Sequence, residues 1–314
     1  MSSTPPRNPP RNPPRNPLGT SQDRVSAESG DARIFDRGYR RYDGERRSAQ
    51  GAVFTLYLAT LQRILGIRRG AKAKILPVLT IAISYLPAIA FIGIASLFPK
   101  ALLDNLPGYH EYYGYVIAAI LLFASFVTPE ALCPDRRYRI LGVYLASPLT
   151  RFTYVVAKLG AVLTVLAMVT IGPPLLLVIA RSLLDSGPAL KDLPALVGRI
   201  LLSGSIMSLF YGSLALAIAS FTSRKGFASA GFVLLSIMTQ AIGGILGDNP
   251  SGSRQHSAGI ISIVTGPFDV VVRIFGESPV TEASTVVVFA AMGATIALCL
   301  AILVLAYRRL EVTR

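Results

Sequence analysis

The chain has 314 residues, of which 52% are hydrophobic and only 15% charged, with a mean hydropathy of +0.53. That is too apolar for a soluble domain built around one core, so the sequence reads as a membrane protein. Its formal charge of +14 does not indicate nucleic acid, since such a surface gathers Lys and Arg with aromatic or polar readers on one folded face, whereas these bases follow the loops.

Two cysteines, Cys133 and Cys299, exclude a disulfide framework, and His110 and His256 lie in separate loops and make no metal site. Residues 1–31 are expected to be a disordered Pro/Arg-rich cytoplasmic tail. The unit Pro-Pro-Arg-Asn occurs three times between Pro5 and Asn16, blocking helix and offering nothing apolar to bury. The tail reads as a solvated leader, a proline-rich ligand or a lipid-attracting arm; without an apolar core segment close behind it, it is not a secretory signal.

Residues 32–74 form a second cytoplasmic segment. Its first part, ARIFDRGYRRYDGERR from Ala32 to Arg47, is dense in Arg with Phe35, Tyr39 and Tyr42 interspersed. Its second, Val53 to Arg69, spaces Phe54, Leu56, Leu58, Leu61, Ile64 and Leu65 near helical period and ends in bases. It is too short and too charged to cross a bilayer and predicts an amphipathic interfacial helix.

From residue 75 to 314 the fold class is all-α, with six transmembrane helices: Ile75–Phe98, Tyr112–Leu132, Tyr154–Ala180, Ile200–Phe221, Phe227–Leu246 and Ala283–Tyr307. Each approaches the roughly 20 residues that a hydrocarbon core of about 30 Å requires. With both termini cytoplasmic, the outer loops keep only Lys100, Arg181, Lys191, Arg199, Arg254 and Arg273, leaving 25 of the 31 bases inside. The stretch from Gly259 to Phe275 is apolar but broken by Gly266-Pro267, with Asp269 and Arg273 four apart. It predicts a re-entrant or interfacial hairpin between helices five and six. A seventh crossing would place Arg308 and Arg309 outside.

The spans hold no H-E-x-x-H, no G-x-S-x-G and no cluster of acids with histidine, and the chain has no G-x-x-x-x-G-K-[ST], so neither an enzyme nor a cofactor is expected. Glu130 and Lys158, near the ends of spans two and three, are expected to pair or to snorkel to the interface. Pro173-Pro174 should kink span three. Gly243 and Gly247 form a G-x-x-x-G, which packs span five on a neighbouring helix or a second subunit, or simply belongs to a loose helix end.

Between spans two and three the chain reads PDRRYRILGVYLASPLTR, from Pro134 to Arg151. Leu141, Tyr144, Leu145 and Leu149 recur at three- and four-residue spacing, an amphipathic face suited to a partner groove or to the bilayer surface. This run resembles the cytoplasmic segment of ABC-2 type permeases, the membrane subunits of bacterial ABC exporters. The charged cluster Asp135, Arg136, Arg137 is followed by Tyr144-Leu145-Ala146-Ser147-Pro148-Leu149-Thr150-Arg151, similar to that family's LLASPLSR-like element, then by Tyr154 and Lys158. Where the family commonly has Gly-Thr-Leu, this chain has Tyr138-Arg139-Ile140-Leu141.

Tyr39 to Arg46 also looks like a leader of actinobacterial members. The resemblance implies a multi-pass protein of a bacterial plasma membrane and makes 134–151 a coupling helix in a groove of a separate ATP-binding subunit. It also implies pairing with a second permease subunit within the lipid bilayer, with no nucleic acid as a partner. A secondary transporter would need midplane acids or broken helices in matching halves, and a membrane scaffold would need no docking segment.

Overall fold

A computed structural model describes residues 48–67, 69–97, 107–184, 189–247 and 258–308. The Pro/Arg-rich tail, the run from residue 32 to 47, His256 and the last six residues lie outside the described residues. Among those described, the ordered elements are all helical. Six helices are long and apolar enough to cross a membrane, the architecture of a multi-pass membrane protein.

The first helix, α1 (Ala49–Ile64), starts at Ser48, whose hydroxyl accepts from the Gly51 amide. Its apolar residues divide between two sides. Leu56, Thr60 and Ile64 are buried, whereas Phe54 is exposed. The Tyr57 hydroxyl shares a 2.9 Å hydrogen bond with Thr164, so this helix lies against the first half of span three.

Span one is α2 (Ala71–Leu97), which carries Pro77 and Pro87 inside it. Proline removes a backbone donor, and polar side chains crowd the affected turns: Thr80 donates to the Leu76 and Pro77 carbonyls, and the Tyr112 hydroxyl donates to the Ser84 carbonyl at 2.6 Å.

Span two departs most from a regular helix. It runs as α3 (Tyr112–Leu122), a π turn (Phe123–Val127), a 3-10 turn (Thr128–Ala131) and α4 (Cys133–Arg137). The sequence places its end at Leu132, yet the helical path continues to Arg137. Pro129 is absorbed by the tightened turn and Pro134 sits at the start of α4, where the missing N–H costs nothing. A short helix α5 (Leu141–Leu145) follows.

Span three is α6 (Arg151–Thr170) and α7 (Gly172–Leu183), broken at the Pro173-Pro174 pair as expected. At the break the Tyr85 hydroxyl donates to the Met168 carbonyl. It also fills the space that a side chain on Gly172 would need.

Span four, α8 (Leu193–Ala219), and span two are the most enclosed. Spans one, five (α9, Lys225–Gly247) and six are largely exposed on the outside of the bundle. Small residues allow spans three and four to approach: a Cβ on Gly212 would meet Leu163 and Leu166 at 3.1 and 3.2 Å, and Thr170 donates to the Gly204 carbonyl at 3.0 Å.

Between spans five and six a 3-10 turn (Ala258–Ile261) leads into α10 (Thr265–Phe275), and α11 (Thr285–Arg308) is span six. Span four holds this connection at two levels. The Arg199 guanidinium donates to the Phe275 carbonyl near its start, and the Tyr211 hydroxyl to the Ile263 carbonyl in its second half.

Candidate functional site

The ends of the spans where α2, α6 and α9 begin and α4, α8 and α11 finish are tied together by polar contacts. At their centre is Asp135, the third residue of α4, a buried carboxylate. One of its oxygens binds Arg63 of α1. The other accepts from the Lys158 ammonium at 2.6 Å and from the Tyr154 hydroxyl at 2.8 Å, both on α6.

Lys158 is itself buried and lies 5.9 Å from the Tyr144 ring centre and 5.4 Å from that of Tyr154. Tyr307 of span six packs on Tyr154 with ring centres 5.4 Å apart. A lone buried ammonium would be prohibitive; the carboxylate and the faces of two aromatic rings stabilise it. Burial pulls the Arg63 guanidinium down, but the Asp135 carboxylate beside it outweighs that and leaves it above its ordinary value. The Tyr144 phenol is pushed up by burial.

Glu130 binds Arg69, in the turn after α1, and Lys225, the first residue of span five. The sequence pairs Glu130 with Lys158 or leaves each to snorkel. In the structure each finds a different partner, because α4 turns Asp135 into the bundle while Glu130 stays near its surface. Arg151 donates to the Arg308 carbonyl at 2.6 Å, closing span three on span six.

The segment from Arg136 to Thr150 divides into two faces. Leu141 and Tyr144 pack against the core, Leu149 is buried and Leu145 is half-buried. The amphipathic face seen in the sequence is thus turned largely toward this chain. What faces outward is Arg137, Tyr138, Arg139, Val143, Ala146 and Pro148, with Tyr138 67% and Val143 70% exposed.

Ser147 donates to the Tyr144 carbonyl, and Thr150 and Thr153 cap the start of α6 reciprocally. Asp135, grouped in the sequence with Arg136 and Arg137, is separated from them: it points inward, Arg136 is half-buried and Arg137 is exposed. Comparison of the sequence with models of known families and with curated proteins finds no match.

Arg63, Tyr154 and Lys158 are all partners of Asp135 that the sequence did not supply. The available signal was Arg63 itself, a single base inside the otherwise apolar half of Val53 to Ile67. Gly243 and Gly247 lie in the last turns of α9, where a Cβ on neighbouring Gly244 would meet nothing within 4 Å.

Proposed function

We propose that this chain is the membrane-spanning subunit of an ATP-driven exporter in a bacterial cell membrane, working as a pair of permease subunits with a separately encoded ATPase. The observation that carries the reading is the exposed strip of 137–148, anchored at one end by buried Asp135. A force on the strip acts on Asp135, which binds α1 through Arg63 and span three through Lys158.

In this reading, movement of a partner at the strip tilts α1 and span three together. The ABC-2 resemblance of residues 134–158 supplies the partner class, and with it a separate chain as the seat of nucleotide hydrolysis. The positive-inside bias supports a cytoplasmic side for the strip and for both ends of the sequence. Residues 258–275 then form a hairpin entering from the outer side, and α1 is a cytoplasmic-side helix leaning on span three.

Docking falls to Tyr138, Val143, Ala146 and Pro148, flanked by Arg137 and Arg139, while Leu141, Tyr144, Leu145 and Leu149 hold the strip in place. The test is Val143→Asp in the tagged full chain. It should insert and melt like wild type, yet lose the ATPase that wild type retrieves from its own membranes and lose ATP-dependent transport. Retention of both by Val143→Asp would overturn the reading.

A further inference from the structure

A second group of bases lies apart from the Asp135 cluster. Arg136, Arg137 and Arg139, at the end of span two, line a cleft of about 730 Å³ together with Ser223, Arg224, Lys225 and Gly226, at the start of span five. Lys225 is engaged by Glu130, and Arg137 lies over the Tyr138 ring. Among the described residues, Arg136, Arg139 and Arg224 have no acidic partner, and Nη1 of Arg136 is buried without a hydrogen-bond acceptor.

Arg139 adopts a φ of 52°, the left-handed region in which a non-glycine residue is strained. The first turn of α9, a 23-residue helix, brings the positive end of its dipole to the same cleft through Lys225 and Gly226. This concentration of positive charge is built to receive an anion.

Its level identifies the source. Arg137 is the last residue of one candidate span and Lys225 the first of another, so the cleft opens where two spans leave the hydrocarbon, the depth of lipid phosphates. Phe221 and Phe227, 71% and 66% exposed, flank the basic loop with apolar rings of the kind that membrane-surface segments bury at the acyl boundary. Arg137 and Arg139 flank the docking strip as well, but Arg136, Arg224 and Lys225 complete the cleft at the ends of two candidate spans, where a lipid phosphate is already present.

We infer that this cleft binds the phosphate group of an anionic lipid headgroup. The inference needs the membrane setting but not the exporter reading. The experiment is native mass spectrometry of the full chain in detergent, titrated with phosphatidylglycerol and with phosphatidylcholine of the same acyl chains, and with inorganic phosphate as competitor.

Wild type should retain phosphatidylglycerol preferentially. The variant Arg139→Gln/Arg224→Gln, changed only at exposed positions, should lose roughly thirtyfold of that affinity, the worth of two bases at a membrane surface. Lys191→Gln, at the other end of the bundle, should not. Failure of phosphate to compete identifies the lipid as the source. Competition at millimolar phosphate supports the same anion site with free phosphate as an occupant.

Equal retention of the two lipids, or undiminished preference in the double variant, would overturn the inference and leave the cleft to an acidic protein partner. Loss of ATPase co-purification by Val143→Asp with lipid preference intact would separate this site from the docking strip.

Discussion

Two buried carboxylates, at opposite ends of the bundle, do different work. Asp135 draws its partners from afar: Arg63 lies 72 residues away, Tyr154 19, and Lys158 on the next turn of the same helix. Asp269, in α10, is served locally. It binds Arg273 four residues on at 3.0 Å, the Val280 amide at 2.8 Å and the Thr281 hydroxyl at 2.6 Å, while Arg273 also donates to the Thr281 and Ala283 carbonyls and to Thr285. The first joins α1, span two and span three; the second folds one connection onto itself. Burial of a carboxylate therefore does not reveal its role. The sequence distance of its partners does.

The sharpest way to break the comparison is Asp135→Asn, which leaves Lys158 buried beside Arg63 without a counter-charge. Removing one partner of a buried ion pair costs about 3–5 kcal/mol, so melting of the detergent-solubilised chain should fall steeply. Asp135→Asn/Lys158→Met should recover part of the loss, since the orphaned charge is gone. Unchanged melting of Asp135→Asn would show that the ion pair is not what holds these elements.

Asp269→Asn should cost less, about 1–3 kcal/mol, because Arg273 keeps four other acceptor atoms, on Thr281, Ala283 and Thr285. The change should be confined to faster amide exchange in 277–285; exchange spreading to spans two and three would erase the distinction between a local and a long-range carboxylate. Glu130→Gln sharpens the scale from below. Its side chain is 15% exposed and its partners Arg69 and Lys225 40% and 48%, so its loss should cost under about 1 kcal/mol and shrink further in high salt.

The number and order of the helices long enough to cross a membrane could be read from hydropathy, because backbone in hydrocarbon must satisfy itself and twenty apolar residues have few alternatives. The break at Pro173-Pro174 and the Asp269–Arg273 spacing were equally visible, both being local chemistry. The extension of span two to Arg137 was not, since the prolines and charges that suggest a terminus are absorbed by π and 3-10 turns. Nor was the direction of the 141–149 face, because periodicity identifies an apolar side without saying whether it meets its own bundle or another molecule.

The sequence by itself thus determined an all-helical chain with six apolar helices and a charged segment between the second and third, properties set by composition and local period. Only the tertiary structure decided that Asp135 belongs to Lys158 and Arg63, that Glu130 belongs to Arg69 and Lys225, and that two loops far apart in the chain share one basic cleft. A charge buried against apolar helices must find an opposite charge within a few ångströms. Which one it finds depends on how the helices pack.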